Sequence, residues 1–459
     1  MNTKSILSIF MLFLLQMSSQ AQLSPAITSW LQNTTQTGSY YMKGNPTLLS
    51  HGFLVNCQLI RYSNNNVYIN ATGIPAYNIG PYLDNNPNQG GNQNAIFRIP
   101  LNPTENTGVK SPTTGGNIGI FVNGVAMFDF RDGVAWNTAT NSWCGGPGNA
   151  PCPGGMGSIQ SWNRDAIVFE RLGFDCSKGH PAGTNYHHHQ NPSAFKLDLN
   201  VISTVCNLYD SDGLYAINPD QHSPLIGFAY DGFPVYGAYG YKNADGTGGI
   251  IRMKSGYALR NITERTHHAD GSDVPDGPVV STTYPLGTFR EDYEWIEHLS
   301  DPSYLDAHNG RFCVTPEYPN GTYCYFATVD ANHNSAYPYL IGPTYFGIKS
   351  GAKVTSVTES TTTYDSSTSA TNDSAIDHMS IKVFPNPSSE FLAVQVEGIL
   401  KNDMDVRLTD ANGKMIAQTI IRKGQTIGYI DIQSLYSGVY FVSTLLDGGF
   451  QTKKVIIEK

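Results

Sequence analysis

The chain carries little charge. Asp, Glu, Lys and Arg make up 14% of its 459 residues, and the net charge of −9 comes with no basic cluster. Nucleic acid and anionic membrane surfaces are thereby excluded as natural partners, because both are held by concentrated positive charge. Residues that favour long helices give way to Gly, Asn, Ser, Thr and Tyr, the composition of an exported β-rich protein. No C-x-x-C occurs, which disfavours a thiol oxidoreductase or a zinc ribbon. G-x-S-x-G, H-E-x-x-H and phosphate-cradling glycine loops are missing too. Beyond Leu15 no apolar run is long enough to span a bilayer, so no transmembrane segment is expected in the mature chain.

The apolar run that is present, Ile6 to Leu15, follows Lys4 and precedes small residues at Ser19 and Ala21. That is the layout of a secretory signal peptide over residues 1–21, leaving Gln22 first in the mature chain. A copper histidine brace requires an N-terminal histidine, so Gln22 argues against it. Export makes disulfides the default for Cys57, Cys144, Cys152, Cys176, Cys206, Cys313 and Cys324. Cys144 and Cys152 flank the turn-rich "GGPGNAP", a loop that a bridge would close.

The sequence predicts a mainly β fold: a large β-rich body with long loops over residues 22–351, then a small C-terminal antiparallel β-sandwich over 378–459. Between them, residues 352–377 are rich in Ser and Thr and read as a flexible linker, since they bury too little to offset their ordering entropy. Alternating segments such as "IGIFVNGVAMFDF" and "LIGFAYDGFPVYGAYGY" read as strands, while "AIVFERLG" is a short helical candidate. No repeat of fixed period is visible, which argues against a propeller or solenoid.

One stretch concentrates chemistry: "GHPAGTNYHHHQNP", Gly179 to Pro192. On a strand, His187 and His189 share one face and His188 takes the other. Two imidazoles at this spacing, with a third from a neighbouring segment, build a three-nitrogen metal site suited to copper or zinc. His180 is the nearest third ligand, and His222 another; His267, His268, His298 and His308 are further candidates. The bland reading is a strand whose histidines only pack and hydrogen-bond. Asp231, in "FAYDGFPVYG", is either a carboxylate orienting a metal-bound histidine or an Asp-Gly turn residue. The loops holding Asp210 and Asp212, and Asp270, Asp273 and Asp276, leave structural calcium as a minor alternative, without EF-hand spacing.

Two resemblances follow from these residues. "VFPNPSS" (Val383 to Ser389), "IDIQSLYSGVYFV" (Ile430 to Val442) and the terminal "KKVIIEK" resemble the type A C-terminal sorting domain of the type IX secretion system. This implies the type IX machinery as partner, passage through the periplasm, and then release or attachment at the outer-membrane surface. "YHHH" (Tyr186 to His189), "IGFAYDGFPVYG" (Ile226 to Gly237) and "NGRF…NGTYCYFAT…YPYLIG" (Asn309 to Gly342) resemble the YHYH family, over about residues 169–347. The resemblance implies fold company rather than a mechanism, and places Tyr186 beside the ligands. Where family members often carry a second such tetrapeptide, this chain reads "YCYF", with Cys324 and Phe326 in the two histidine places. A disulfide between Cys313 and Cys324 then suits an exported hairpin better than a thiolate ligand.

The leading expectation is a secreted metal-binding protein, with His187, His189 and either His180 or His222 as ligands, and with a metalloenzyme, whose ion would activate water or bind dioxygen, as its catalytic form. Its rivals are a non-catalytic module binding an unknown glycan, protein or small molecule, and a metal scavenger without chemistry.

Overall fold

Alternation in the sequence becomes alternation in burial. Along Ala95–Pro100, Ala95, Phe97 and Ile99 are buried while Ile96, Arg98 and Pro100 are half-buried. The computed structural model describes residues 23–84, 88–192, 219–365, 380–397, 400, 403–410, 414–423, 425–446 and 449–459. The expected signal peptide, Cys206, Asp210 and Asp212 lie outside them. The chain divides after Asp365 into two units. Strands dominate both, as expected. Among the described residues no helix is long and apolar enough to cross a membrane.

Two sheets organise the first unit. One is an antiparallel sheet in the order Ala352–Val354, Ala95–Pro100, Asn66–Ala71, Cys57–Tyr62, Thr362–Tyr364. Its outer strands correct the expected linker. Residues 352–354 (Ala-Lys-Val) and 362–364 (Thr-Thr-Tyr) are edge strands of the body, held by backbone pairing with Ala95–Pro100 and Cys57–Tyr62, while residues 366–377 of the expected linker lie outside the described ones. The second sheet has eight strands: β1 (Asn117–Phe121), β2 (Ala126–Phe128), β3 (His180–Ala182), β4 (Asn185–His188), β5 (Leu225–Ala229), β6 (Pro234–Tyr236), β7 (Gly310–Cys313) and β8 (Thr322–Phe326). Their spatial order is β3-β4-β2-β1-β5-β6-β8-β7. Both sheets feed one core, in which Ile69, Phe97, Phe121, Phe228 and Tyr325 are fully buried or nearly so. Each such side chain contributes about 1.5–3 kcal/mol.

The eight-stranded sheet has two halves built alike. Hairpin β1–β2 meets hairpin β5–β6 through the antiparallel β1–β5 pair. On each outer side a second hairpin adds its second strand in parallel, β4 to β2 and β8 to β6. "IGIFVNGVAMFD" (Ile118–Asp129) aligns without a gap to "IGFAYDGFPVYG" (Ile226–Gly237), and the turns match: Asn123 Oδ1 accepts from Val125 N, and Asp231 Oδ1 from Phe233 N. At the junction a Cβ on Gly227 would lie 2.4 Å from Ile120 O, and one on Gly119 2.6 Å from Phe228 O, so only glycine allows the close approach. The outer hairpins match as well. Asp175 Oδ1 accepts from Gly179 N at 3.1 Å and its Oδ2 from the Tyr186 hydroxyl at 2.8 Å; Asp306 does the same for Gly310 N and Tyr323. The repeat escapes a search for fixed period because different connections separate its hairpins.

Beside the first half, Trp162–Asp165, Arg131–Asn137 and Ser142–Cys144 form a three-stranded antiparallel sheet. The Cys144–Cys152 disulfide closes the loop that follows, as expected. Asp165 caps the helical turn Ala166–Phe169 through Ile167 N and Val168 N, and Glu170 ends it. Cys176 is also disulfide-bonded. In the second unit, a sheet of Ser380–Phe384, Phe391–Glu397 and Ile427–Asp431 shares its core with one of Met404–Asp410, Met415–Ile421, Gly438–Leu446 and Gly449–Ile457. Leu392, Val406, Val442 and Val455 fill the interior of this β-sandwich.

Candidate metal centre

The two-residue turn Gly183-Thr184, with Gly183 at φ 60°, sets the β3–β4 register so that His180 stands opposite His187. Strand alternation puts His189 on that same face. The three rings gather with centroids 4.6 to 5.7 Å apart, all buried. Their ligand atoms lie within 4.8 Å of one another, and no other such group occurs among the described residues. His187 Nε2 is 3.0 Å from His189 Nε2. Glu170 Oε2 lies 3.3 Å from His180 Nε2 and 3.2 Å from His189 Nε2. Three imidazole nitrogens and one carboxylate oxygen thus converge.

The second ring nitrogens explain which atoms face inward. His187 Nδ1 bonds to Asn185 O at 2.9 Å, and His189 Nδ1 to Asp129 O. A carbonyl only accepts, so both Nδ1 atoms carry the proton and both Nε2 atoms turn lone pairs toward the centre, the tautomer a metal requires. Two lone pairs 3.0 Å apart repel unless a cation or a proton lies between them. His180 Nε2 and Glu170 Oε2 are buried without a hydrogen bond. Such groups in a folded interior call for a missing partner.

The charges within the cluster pair with one another. Burial, then the neighbouring His180 and His189, push His187 well below the ordinary histidine range. Burial also disfavours charge on His189, but Glu170 and Asp129 reverse this and raise it. Burial would raise Glu170, yet His180 and His189 hold it well below the usual carboxylate range. Phe128 stacks on His187 at 3.8 Å, and Phe174 meets His180 edge-on at 5.0 Å, fixing both rings. All four donors line a cavity of about 690 Å³ whose walls include Asp132, Arg164 and Pro147 of the disulfide loop.

The other expected residues fall elsewhere. His188 takes the opposite face, as strand alternation predicts, and its Nε2 bonds to the Tyr77 hydroxyl at 2.7 Å. Tyr186 shares that face, so its hydroxyl anchors Asp175 and meets His188 edge-on rather than a ligand. His222 belongs to the far half of the sheet, packed against Tyr236, Tyr241 and Phe326, and it cannot join the cluster across the intervening β2, β1 and β5. Asp231 is a turn residue there, accepting from Tyr325 and Gly347 N. Asp270 bonds Ser272 N and Oγ within its own loop, as an Asx turn. Cys313 and Cys324 are unlinked, and the Cys324 thiol donates to Thr322 O. The register places them diagonally, Cys313 opposite Thr322 and Cys324 opposite Arg311. Diagonal neighbours stand about 7–8 Å apart, beyond ordinary disulfide reach without backbone movement.

Glu170 escaped the sequence reading. Its only signal was its place within the short helical candidate "AIVFERLG". The second half of the sheet shows what replaced the cluster there. Arg311 stands where His180 does, opposite Cys324 at the place of His187, with Phe326 at that of His189. Arg311 donates to Tyr241 O, Lys242 O and Pro302 O, filling the space with a fixed cation.

With this geometry the family comparisons make sense. A model described as Secretion system C-terminal sorting domain matches residues 382–458, marking a protein that is secreted or placed at the cell surface through type IX machinery. No curated protein matches the chain. A model described as YHYH protein matches residues 96–337, from upstream of β1 to beyond β8 and therefore across both halves of the duplicated sheet. That is more than half of the 459 residues, and the chain belongs to the YHYH protein family.

Proposed function

We propose that this exported protein binds one transition-metal ion through His180, His187, His189 and Glu170, and that the ion is open to small molecules. The convergence of three Nε2 atoms and a carboxylate oxygen carries this reading. Imidazole suits zinc and copper, whereas calcium prefers an all-oxygen set. The main-chain carbonyls behind His187 and His189 hold the rings against rotation, the usual support of a metal-bound imidazole. Because the donors line a cavity, the reading favours an accessible metal over a sealed structural one. An ion held by these residues would supply Lewis-acid or oxygen chemistry to a molecule entering the cavity. Passage through the periplasm, followed by release or outer-membrane attachment, belongs to the same proposal.

Metal content of the exported chain, measured by mass spectrometry beside a His187→Ala/His189→Ala variant, tests it. About one equivalent of copper or zinc, lost in the variant, is the expected result. No metal in a folded wild-type protein after incubation with either ion would sink it.

A further inference from the structure

Two arginines line the cavity at the histidine cluster, and they differ in what their guanidinium groups still have to offer. Arg131 is held from two sides and is 8% exposed: its Nε donates to Asp129 Oδ2 and its Nη2 to Thr113 O, both at 2.6 Å. Arg164 is anchored on one side only, where its Nε donates to Asp132. Among the described residues its two Nη groups make no hydrogen bond, and 22% of its side chain is exposed. The guanidinium plane is held in place from below, 4.6 Å from the Phe169 ring centre and 5.4 Å from that of Trp143. Its backbone belongs to a strand of the three-stranded sheet, two residues from the start of the helical turn that delivers Glu170. The result is a rigid, stacked fork with free donors, in the same cavity as the metal-ligand set.

From this we infer that Arg164 recognises an anionic oxygen group, a carboxylate or a phosphate, on the molecule that occupies the cavity. The inference rests on the proposed metal site, which would hold the other end of that molecule. A planar fork with two parallel N–H donors matches two oxygens of one anion, which a lysine or a hydroxyl does not. At about 690 Å³ the cavity has the size of a small-molecule site. Gly115, Gly116, Gly133 and Gly183 line it without side chains, leaving room for the ligand to pass. Asp132 fixes the direction of the fork, and so is a positioning residue.

Titration calorimetry on the exported chain, zinc-loaded and zinc-free, with malonate and with inorganic phosphate as probes and glucose as the neutral control, tests this. Arg164→Lys keeps a positive charge against Asp132 but loses the fork. Arg164→Ala/Asp132→Ala removes both charges, so neither is left buried alone. Wild type is expected to bind at least one of the two anions and not glucose, with roughly tenfold or greater weakening in both variants at unchanged thermal midpoints. Preference for malonate or for phosphate tells which anion the fork fits. Equal binding in wild type and folded variants, binding of glucose as tight as that of the anions, or no anion binding at all would overturn the proposal. Arg164-dependent anion binding in a protein that takes up no metal would uphold the fork and defeat the metal reading alone.

Discussion

The two halves of the eight-stranded sheet share a backbone plan and differ in what they hold. In the first, His180, His187 and His189 face a cavity with Glu170. In the second, Arg311, Cys324 and Phe326 take the same register positions and close the space. The hairpins that carry them are anchored alike, by Asp175 under Tyr186 and Asp306 under Tyr323. On the proposed reading, a shared scaffold then supports an exchangeable cation in one half and a permanent one in the other. A guanidinium bonded to three carbonyls cannot leave, so that half gains rigidity and has no open position. Three imidazoles and a carboxylate leave their charge to be completed from outside.

Each way of testing this contrast has an expected outcome. The largest concerns metal. Zinc at a hundredfold excess over its dissociation constant should stabilise the wild-type chain by about 2.7 kcal/mol, and a chelator should remove the gain. His187→Ala/His189→Ala should show no such response in a thermal melt, and a response of equal size in that variant would place the metal elsewhere.

Acidification should act next, with one contribution that the first half has and the second lacks. Burial pushes His188 down to about 3, while its counterpart in the second half is Tyr325, which does not titrate in that range. Between pH 6.5 and 3 the unfolded chain gains a proton at this position that the folded chain refuses. Stability therefore falls as pH falls, by on the order of 4 kcal/mol across the window. His188→Phe should flatten that slope in chemical denaturation series. An unchanged slope would mean that other groups dominate.

Arg311→Ala should cost about 2 kcal/mol, because it strands three carbonyls, yet leave metal content intact. Loss of metal in a folded Arg311 variant would break the division of labour between the halves. Smallest of all, Cys324→Ser should change stability by about 1 kcal/mol or less and metal binding not at all. Alkylation of the denatured, unreduced chain should label both Cys313 and Cys324, and protection of the pair would show that they are bridged after export.

Much of the site was open to a reader of the sequence. Strand alternation separates His188 from its neighbours, and Gly183-Thr184 is a recognisable two-residue turn, from which counting outward pairs His180 with His187. Glu170 was not open to that reading. It approaches through a helical turn whose place beside the cluster depends on the three-stranded sheet and not on spacing in the chain. His222 misled for the converse reason, since nearness in sequence to a metal-like stretch says nothing about which half of a sheet a residue joins. The first part of the segment read as a linker differs on the same ground: local composition cannot report that two free sheet edges pair with residues 352–354 and 362–364.

What the sequence by itself determined is local and periodic: the β character of both units, the sorting domain at the end, the Cys144–Cys152 loop, and two imidazoles on one strand face. These follow from side-chain alternation and turn chemistry, which act over a few residues. Only the tertiary structure decided that a carboxylate meets them, that Arg164 opens onto the same cavity, and that the sheet repeats itself with the cation built in. Those facts depend on which distant strands pair, and pairing is settled by the shared core rather than by any one segment.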